Sequence, residues 1–127
     1  MTENQIATQI VDAAYKIHCA LGPGLLESAY LAILAYELRR RGLTVDTERE
    51  LPVTYDRVHI SVGFRIDMIV EEKVIVELKS VEKVSPVHKK QLLTYLRLAD
   101  KRLGLLINFG EAYIRDGIHR IANQIQE

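Results

Sequence analysis

The sequence predicts an α/β protein, a mixed sheet with helices packed on it, and three observations carry that prediction. Apolar residues recur at three-to-four spacing near the N-terminus, two central segments alternate apolar with polar, and the segment LGLLINF is apolar almost without break. The first period is that of a helix buried along one stripe, the second that of half-buried strands, and the third that of a strand covered on both faces.

Residues 3 to 20 carry Ile6, Ile10, Ala13, Ala14 and Ile17 on one helical stripe, and Leu21-Gly22-Pro23-Gly24 breaks it. A second helix is expected from about Leu25 to Arg41, with Gly42 placed to stop it. Leu43 to Tyr55 reads as a strand in which Pro52 requires an edge position or a bulge. Val62 to Val70 and Val74 to Lys79 alternate and are joined by Glu71-Glu72-Lys73, which makes two half-buried strands. Ser85-Pro86 supplies an N-cap and first turn for a third helix ending near Ala99, and residues 103 to 109 form the buried strand. The tail from Gly110 reads as a short strand and a final helix from Gly117. The resulting order is α-α-β-β-β-α-β, and with no repeat, low-complexity tract or linker, residues 1–127 read as one domain.

Composition narrows the function less than the fold. At 127 residues, 48% hydrophobic and 27% charged, the chain can bury a core and does not resemble a disordered segment. Lys plus Arg (17) equals Asp plus Glu (17), so bulk positive charge gives no argument for nucleic-acid binding. A basic surface has to come from clusters such as Arg39-Arg40-Arg41, Lys89-Lys90 or Lys101-Arg102, each of which is more simply a solvated helix end or loop. The single cysteine, Cys19, cannot form an internal disulfide, and the polar N-terminus lacks a signal-peptide pattern. No apolar run approaches the roughly 18 residues of a membrane span. A cytoplasmic location and no membrane partner are therefore expected.

Register decides what the central hairpin means. If Val70 pairs with Val74, then Phe64, Ile66, Met68, Val70, Val74, Val76 and Leu78 line one face. Asp67 then stands opposite Glu77, and Arg65 opposite Lys79, on the other. A two-residue turn would put the two acids on opposite faces, so burial selects the register in which they meet. Directly opposed side chains have Cβ atoms roughly 4.5–5.5 Å apart, where like charges repel. A bound cation turns that repulsion into attraction, and hard oxygen ligands suit Mg²⁺ or Mn²⁺. Lys79 projects from the same face as Glu77 and can orient a water or offset charge developing on a phosphate. The competing reading is an ordinary salt-bridge lattice on a solvated face, with diagonal pairs Asp67–Lys79 and Arg65–Glu77.

Beyond spacing, Asp67 followed by Glu77-Leu78-Lys79 resembles the D…ExK core of the PD-(D/E)xK nuclease superfamily, which has a restriction-endonuclease-like core. Gly24-Leu25-Leu26-Glu27-Ser28-Ala29-Tyr30 resembles the signature of its GxxExxY branch, and GFRIDMIV, VIVELKSVE, HKKQLLTYL and GLLINFG are similar to further blocks of that family. The resemblance runs from about Ile10 to Ile121. It implies that Asp67 and Glu77 are metal ligands, joined by the Leu78 backbone carbonyl and by Glu27 directly or through water. It also implies that Lys79 is the catalytic lysine and that Gln91 and Tyr95 form the Q-x-x-x-Y element, with His88 one turn earlier and Tyr30 accessory.

Each accessory residue has a structural alternative. With Gly24 as N-cap, Glu27 at the third helical position would cap the helix. Tyr30 and Tyr95 would be core aromatics with bonded hydroxyls, and Gln91 would bridge backbone groups. No HxxxH-type spacing supports a structural zinc site. Three functions follow as expectations. The first is Mg²⁺- or Mn²⁺-dependent hydrolysis of DNA or RNA. The second is a catalytically silent nucleic-acid-binding or assembly module on the same fold, for which an edge strand and apolar helices allow a homodimer. The third is the same metal chemistry on another phosphorylated substrate.

Overall fold

In the computed structural model, which describes residues 1–124, helix α1 (Glu3–Leu21) opens with a capping box. The Thr2 hydroxyl and the Gln5 side chain each accept the other residue's backbone N–H. It buries the expected stripe of Ile6, Ile10, Ala13, Ala14 and Ile17, and Gly22 ends it at φ 72°. Next come α2 (Glu27–Arg40), then strands β1 (Val45–Tyr55), β2 (Val58–Val70) and β3 (Val74–Lys79). Helix α3 (Pro86–Ala99) has Ser85 as N-cap, and β4 (Leu103–Asn108) follows it.

The chain closes differently from expectation. A 3₁₀ turn (Ile114–Gly117) leads into a strand, β5 (Ile118–Ala122), where a helix from Gly117 was expected. The physical reason is alternation: Ile118 packs into the α1/α2 side of the core and Ile121 into the α3 side, as only an extended chain pairing with β4 allows.

The sheet runs β1-β2-β3-β4-β5, antiparallel throughout except for the β3–β4 pair that α3 connects. Its two faces carry separate apolar clusters. Helices α1 and α2 cover Met68, Val70, Val74, Val76, Leu78 and the odd positions of β4. Leu92, Tyr95 and Leu96 of α3 cover Ile66, Ile69, Ile75 and Leu106. Strand β3, expected to be half-buried, is therefore buried from Val74 to Leu78 on both sides.

The expectation that seven apolar residues of the hairpin share one face fails for two of them. Ile66 packs under α3, and Phe64 meets the Tyr95 ring at 5.1 Å, whereas Met68 and Val70 face α1 and α2. Strand β1 changes side with its partner: Val45 faces the α1/α2 cluster and Leu51 the α3 cluster, while the register on either side of Glu48 and Asp67 is unchanged. Glu48 stands at that point with φ 56°, a left-handed value that turns the ribbon over. A second irregularity lies between Leu51 and Val53, around Pro52, on the edge strand where that proline was expected to require one. Gly63 is obligatory opposite it, since a Cβ there would lie 1.9 Å from the Leu51 carbonyl oxygen.

The basic triplet at the end of α2 serves the fold. Arg39 donates to the Val45 carbonyl at 2.9 Å, and Arg41 bridges Asp12 at 2.8 Å and Glu37 at 3.4 Å. Glu37 is only 6% exposed and also binds Lys16 at 2.9 Å. The hydrogen bond from Lys16, helped by Arg40, holds the Glu37 carboxyl below its ordinary 4.5 against the opposing effect of burial. A depressed folded-state pKa gives stability that is present above the unfolded value and lost as pH falls through the folded one. Glu37→Gln is thus expected to lower the melting temperature at pH 7, with the deficit shrinking toward zero at pH 3. An equal deficit at both pH values would show that the network acts through packing and not charge.

Candidate active site

The β2–β3 ladder has the register that burial selects, Val70 with Val74, Ile69 with Ile75 and Met68 with Val76, and it ends there. One step further, side chains take over from backbone pairing. The Asp67 N–H donates to Glu77 Oε1 at 3.0 Å, and the Leu78 N–H donates to Asp67 Oδ2 at 2.8 Å. The two carboxylates are therefore brought together at the point where the strands part. Leu78 itself points into the α1/α2 core, so Glu77 and Lys79 on either side of it project toward the face that α3 covers.

Burial sets the electrostatics. Glu77 is 9% exposed, and desolvation, reinforced by the charge on Asp67, pushes its carboxyl up to about 8. Asp67 is also raised, by burial first, while the Leu78 N–H and the Lys79 charge oppose the rise. Lys79 is half-buried and makes no ion pair among the described residues, although its charge favours the ionised form of both acids. The salt-bridge lattice does not form. Arg65 pairs with Glu48 instead of Glu77, and it lies beside α2, not opposite Lys79 on a shared face, because the ribbon turns over at Asp67.

Glu27 is not a third-position cap. The N-cap is Leu26 and Glu27 is the first helical residue, because the preceding turn is held elsewhere. The buried Tyr30 hydroxyl donates to the Gly22 carbonyl and accepts from the Leu25 N–H at 3.1 Å, and its ring stacks on Phe109 at 4.3 Å. Glu27 Oε1 instead accepts from the Ser80 N–H at 3.4 Å, while the Ser80 hydroxyl donates to the Leu25 carbonyl at 2.7 Å. The segment leaving Lys79 is thereby tied to the entry of α2. Glu27, Ser28, Leu31, Glu48, Arg65 and Asp67 line a cavity of about 350 Å³ there. The charge on Glu27 contributes to raising Asp67, yet no group of three His, Cys, Asp or Glu side chains closes around one point among the described residues. A larger cavity of about 690 Å³, between α1 and the β4–β5 edge, is mainly apolar and contains none of these acids.

The helix after the strand contributes unevenly. Tyr95 is buried in the α3 cluster with Ile69, Ile75 and Leu106, on the face toward which Glu77 projects, and its hydroxyl is raised by desolvation and then by the charges of Glu77 and Asp67. Gln91 is exposed and makes no side-chain hydrogen bond among the described residues. His88 Nδ1 accepts the Ser85 N–H at 3.2 Å and completes a capping box, so its ring starts the helix. Asn108 is a further residue of the site's frame, outside the motifs of the sequence. It is fully buried, accepts from the Val81 and Gly110 N–H groups at 3.0 Å each, and donates to the Val81 carbonyl at 2.9 Å. The signal was present: a polar side chain ending an apolar run is buried only when its partners are built in.

A divalent cation fits these residues. A buried carboxylate, Glu77, and a half-buried one, Asp67, meet without a countercharge in contact, each with one oxygen held by a backbone N–H, and hard oxygen donors in that state gain most from such an ion. The family model described as the PD-(D/E)XK nuclease superfamily matches residues 4–121. No curated protein and no solved structure matches the chain.

A carboxyl raised in the fold binds more protons folded than unfolded, so stability falls as pH rises from its ordinary 4.5 toward 8. In EDTA the wild-type melting temperature is expected to drop between pH 6 and pH 9, and Glu77→Gln to drop distinctly less. Parallel profiles would mean that Glu77 ionises freely in the folded protein.

Proposed function

The chain belongs to the PD-(D/E)XK nuclease superfamily, and from that membership we propose that it is a Mg²⁺- or Mn²⁺-dependent nuclease hydrolysing phosphodiester bonds of nucleic acid. The observation that carries this reading is the convergence of Asp67 and Glu77 where the β2–β3 ladder ends. The GxxExxY motif at Gly24, Glu27 and Tyr30 supports the finer placement in that branch.

Asp67 and Glu77 would hold the ion, with the Leu78 carbonyl and, through water, Glu27 completing the set. When bound, the ion supplies Lewis acidity toward a phosphate oxygen and lowers the pKa of a water. Lys79 has no carboxylate within ion-pair distance among the described residues, which leaves its ammonium available to position the attacking water and offset transition-state charge. Tyr95 excludes solvent behind the carboxylates. Gln91, on the exposed side of α3, is available to a phosphate arriving from solvent. Lys89, Lys90 and Arg97 give α3 three cations and no acid, and none is in an ion pair among the described residues, so a polyanion has a local basic surface despite the neutral chain.

One observation favours a second reading, a catalytically silent binding or assembly module. Among the described residues no third ligand side chain joins the two acids. Mn²⁺ calorimetry separates the readings. The nuclease reading expects binding, and stabilisation of about 2.7 kcal/mol at a free concentration 100-fold above Kd. Labelled DNA and RNA should be cleaved only with the metal. Asp67→Asn and Glu77→Gln should abolish cleavage, and Lys79→Ala should reduce kcat by about 10²-fold or more while still binding metal. Wild-type cleavage by both Glu77→Gln and Lys79→Ala would sink the assignment.

A further inference from the structure

We infer that Arg65 grips a non-bridging oxygen of the substrate phosphate, and that Glu48 occupies its guanidinium until substrate arrives. This rests on the nuclease reading above and names the group by which the site holds its substrate. Among the described residues the cavity at Asp67 is lined by three carboxylates, Glu27, Glu48 and Asp67, and by one cationic side chain, Arg65. A phosphodiester entering it carries negative charge to a wall that is otherwise repulsive. A guanidinium presents a planar fork of donors matched to two phosphate oxygens, which a lysine cannot do.

The Arg65–Glu48 pair is built to be exchangeable. Both side chains are largely in solvent, 61% and 50% exposed, and an ion pair in that setting contributes little to the fold. Replacing the Glu48 carboxylate by a phosphate exchanges one anion for another at the same guanidinium. A turnover of the backbone brings the pair to the cavity. Glu48 sits inside a strand at φ 56°, a conformation that L-residues adopt only at an energetic cost, directly across from Asp67. The same turnover carries Arg65 to the α2 side of the ribbon and into the cavity.

The test is cleavage of a labelled oligonucleotide with Mn²⁺, together with its equilibrium binding by anisotropy with Ca²⁺ in place of Mn²⁺. Arg65→Ala should raise KM and Kd about tenfold and change kcat less than threefold. Arg65→Lys should recover part of the loss. Glu48→Gln, which frees the guanidinium, should lower Kd severalfold, and all three variants should melt within about 2 °C of wild type. Opposite signs at the two partners separate a role in substrate binding from one in the fold alone, and only partial recovery in Arg65→Lys, which restores the charge without the fork, separates a phosphate contact from the general field. Cleavage with unchanged KM and Kd in Arg65→Ala, or losses in the same direction at Arg65 and Glu48, would overturn the inference and leave the nuclease reading standing. A wild-type protein that neither binds nor cleaves the oligonucleotide would overturn both.

Discussion

The structure turns on the point where backbone pairing between β2 and β3 gives way to carboxylates. Up to Met68 and Val76 the strands are joined as any antiparallel pair is, and beyond them the join is Asp67 accepting from Leu78 and Glu77 accepting from Asp67. A ladder that ended in solvent would leave these acids hydrated and ordinary. Here α3 lies over the same face, so the pair is desolvated and both carboxyls are held above their usual range. The crossover helix that makes β3 and β4 parallel neighbours is thus also what gives the acids their chemistry.

Holding the Glu77 carboxyl out of water beside Asp67 works against the fold, and the surroundings show how it is tolerated. A fully buried aliphatic side chain contributes roughly 1.5–3 kcal/mol, and β3 alone buries Val74, Ile75, Val76 and Leu78 beside Glu77. The strand is over-anchored by its apolar positions, so its one acidic position can be unfavourable without moving. The segment after Lys79 is fixed twice, by Ser80 to the entry of α2 and by Asn108 to Val81. Tyr30 fixes the α2 entry from the other side by bonding both Gly22 and Leu25. These polar braces cross between elements distant in sequence, and they keep Glu27 and Asp67 in one cavity.

That division explains what was legible in the sequence. Asp67 and Glu77 could be paired from the hydrophobic pattern because the register is set by Val70, Val74, Met68 and Val76, all near the turn and all on one face. The start of the third helix was legible because Ser85 and Pro86 act locally, and the helix ends at Ala99 as expected, where Asp100 takes a left-handed conformation. Phe64 and Ile66 could not be assigned to the right face, since the turnover depends on a left-handed Glu48 in a neighbouring strand, and nothing in the composition of TERELP announces it. Glu27 was placed two helical positions too far into α2 for a similar reason. The bond that delays the helix comes from Tyr30, a residue whose hydroxyl reaches back over eight positions. The tail's strand is expected before Gly117 and lies after it, where a helix is expected, because its alternation is read only against β4 and two separate cores.

The turnover at Glu48 and Asp67 also divides labour along β2. On one side, Met68 and Val70 belong to the core and set the register; on the other, Phe64 and Ile66 anchor the ribbon beneath α3 while Arg65 is released toward α2. In a regular strand Asp67 would share a face with Arg65 and Ile69, and nearby burial would force the guanidinium under α3 or the aspartate into an apolar neighbourhood. A phase change at Asp67 removes that conflict. It lets one acid meet Glu77 on the buried side while the cation two residues away stays in contact with solvent. The second acid and the cation thereby stand on opposite sides of Asp67, Glu77 under α3 and Arg65 toward α2, so that Arg65 pairs with Glu48 and not with either acid of the pair.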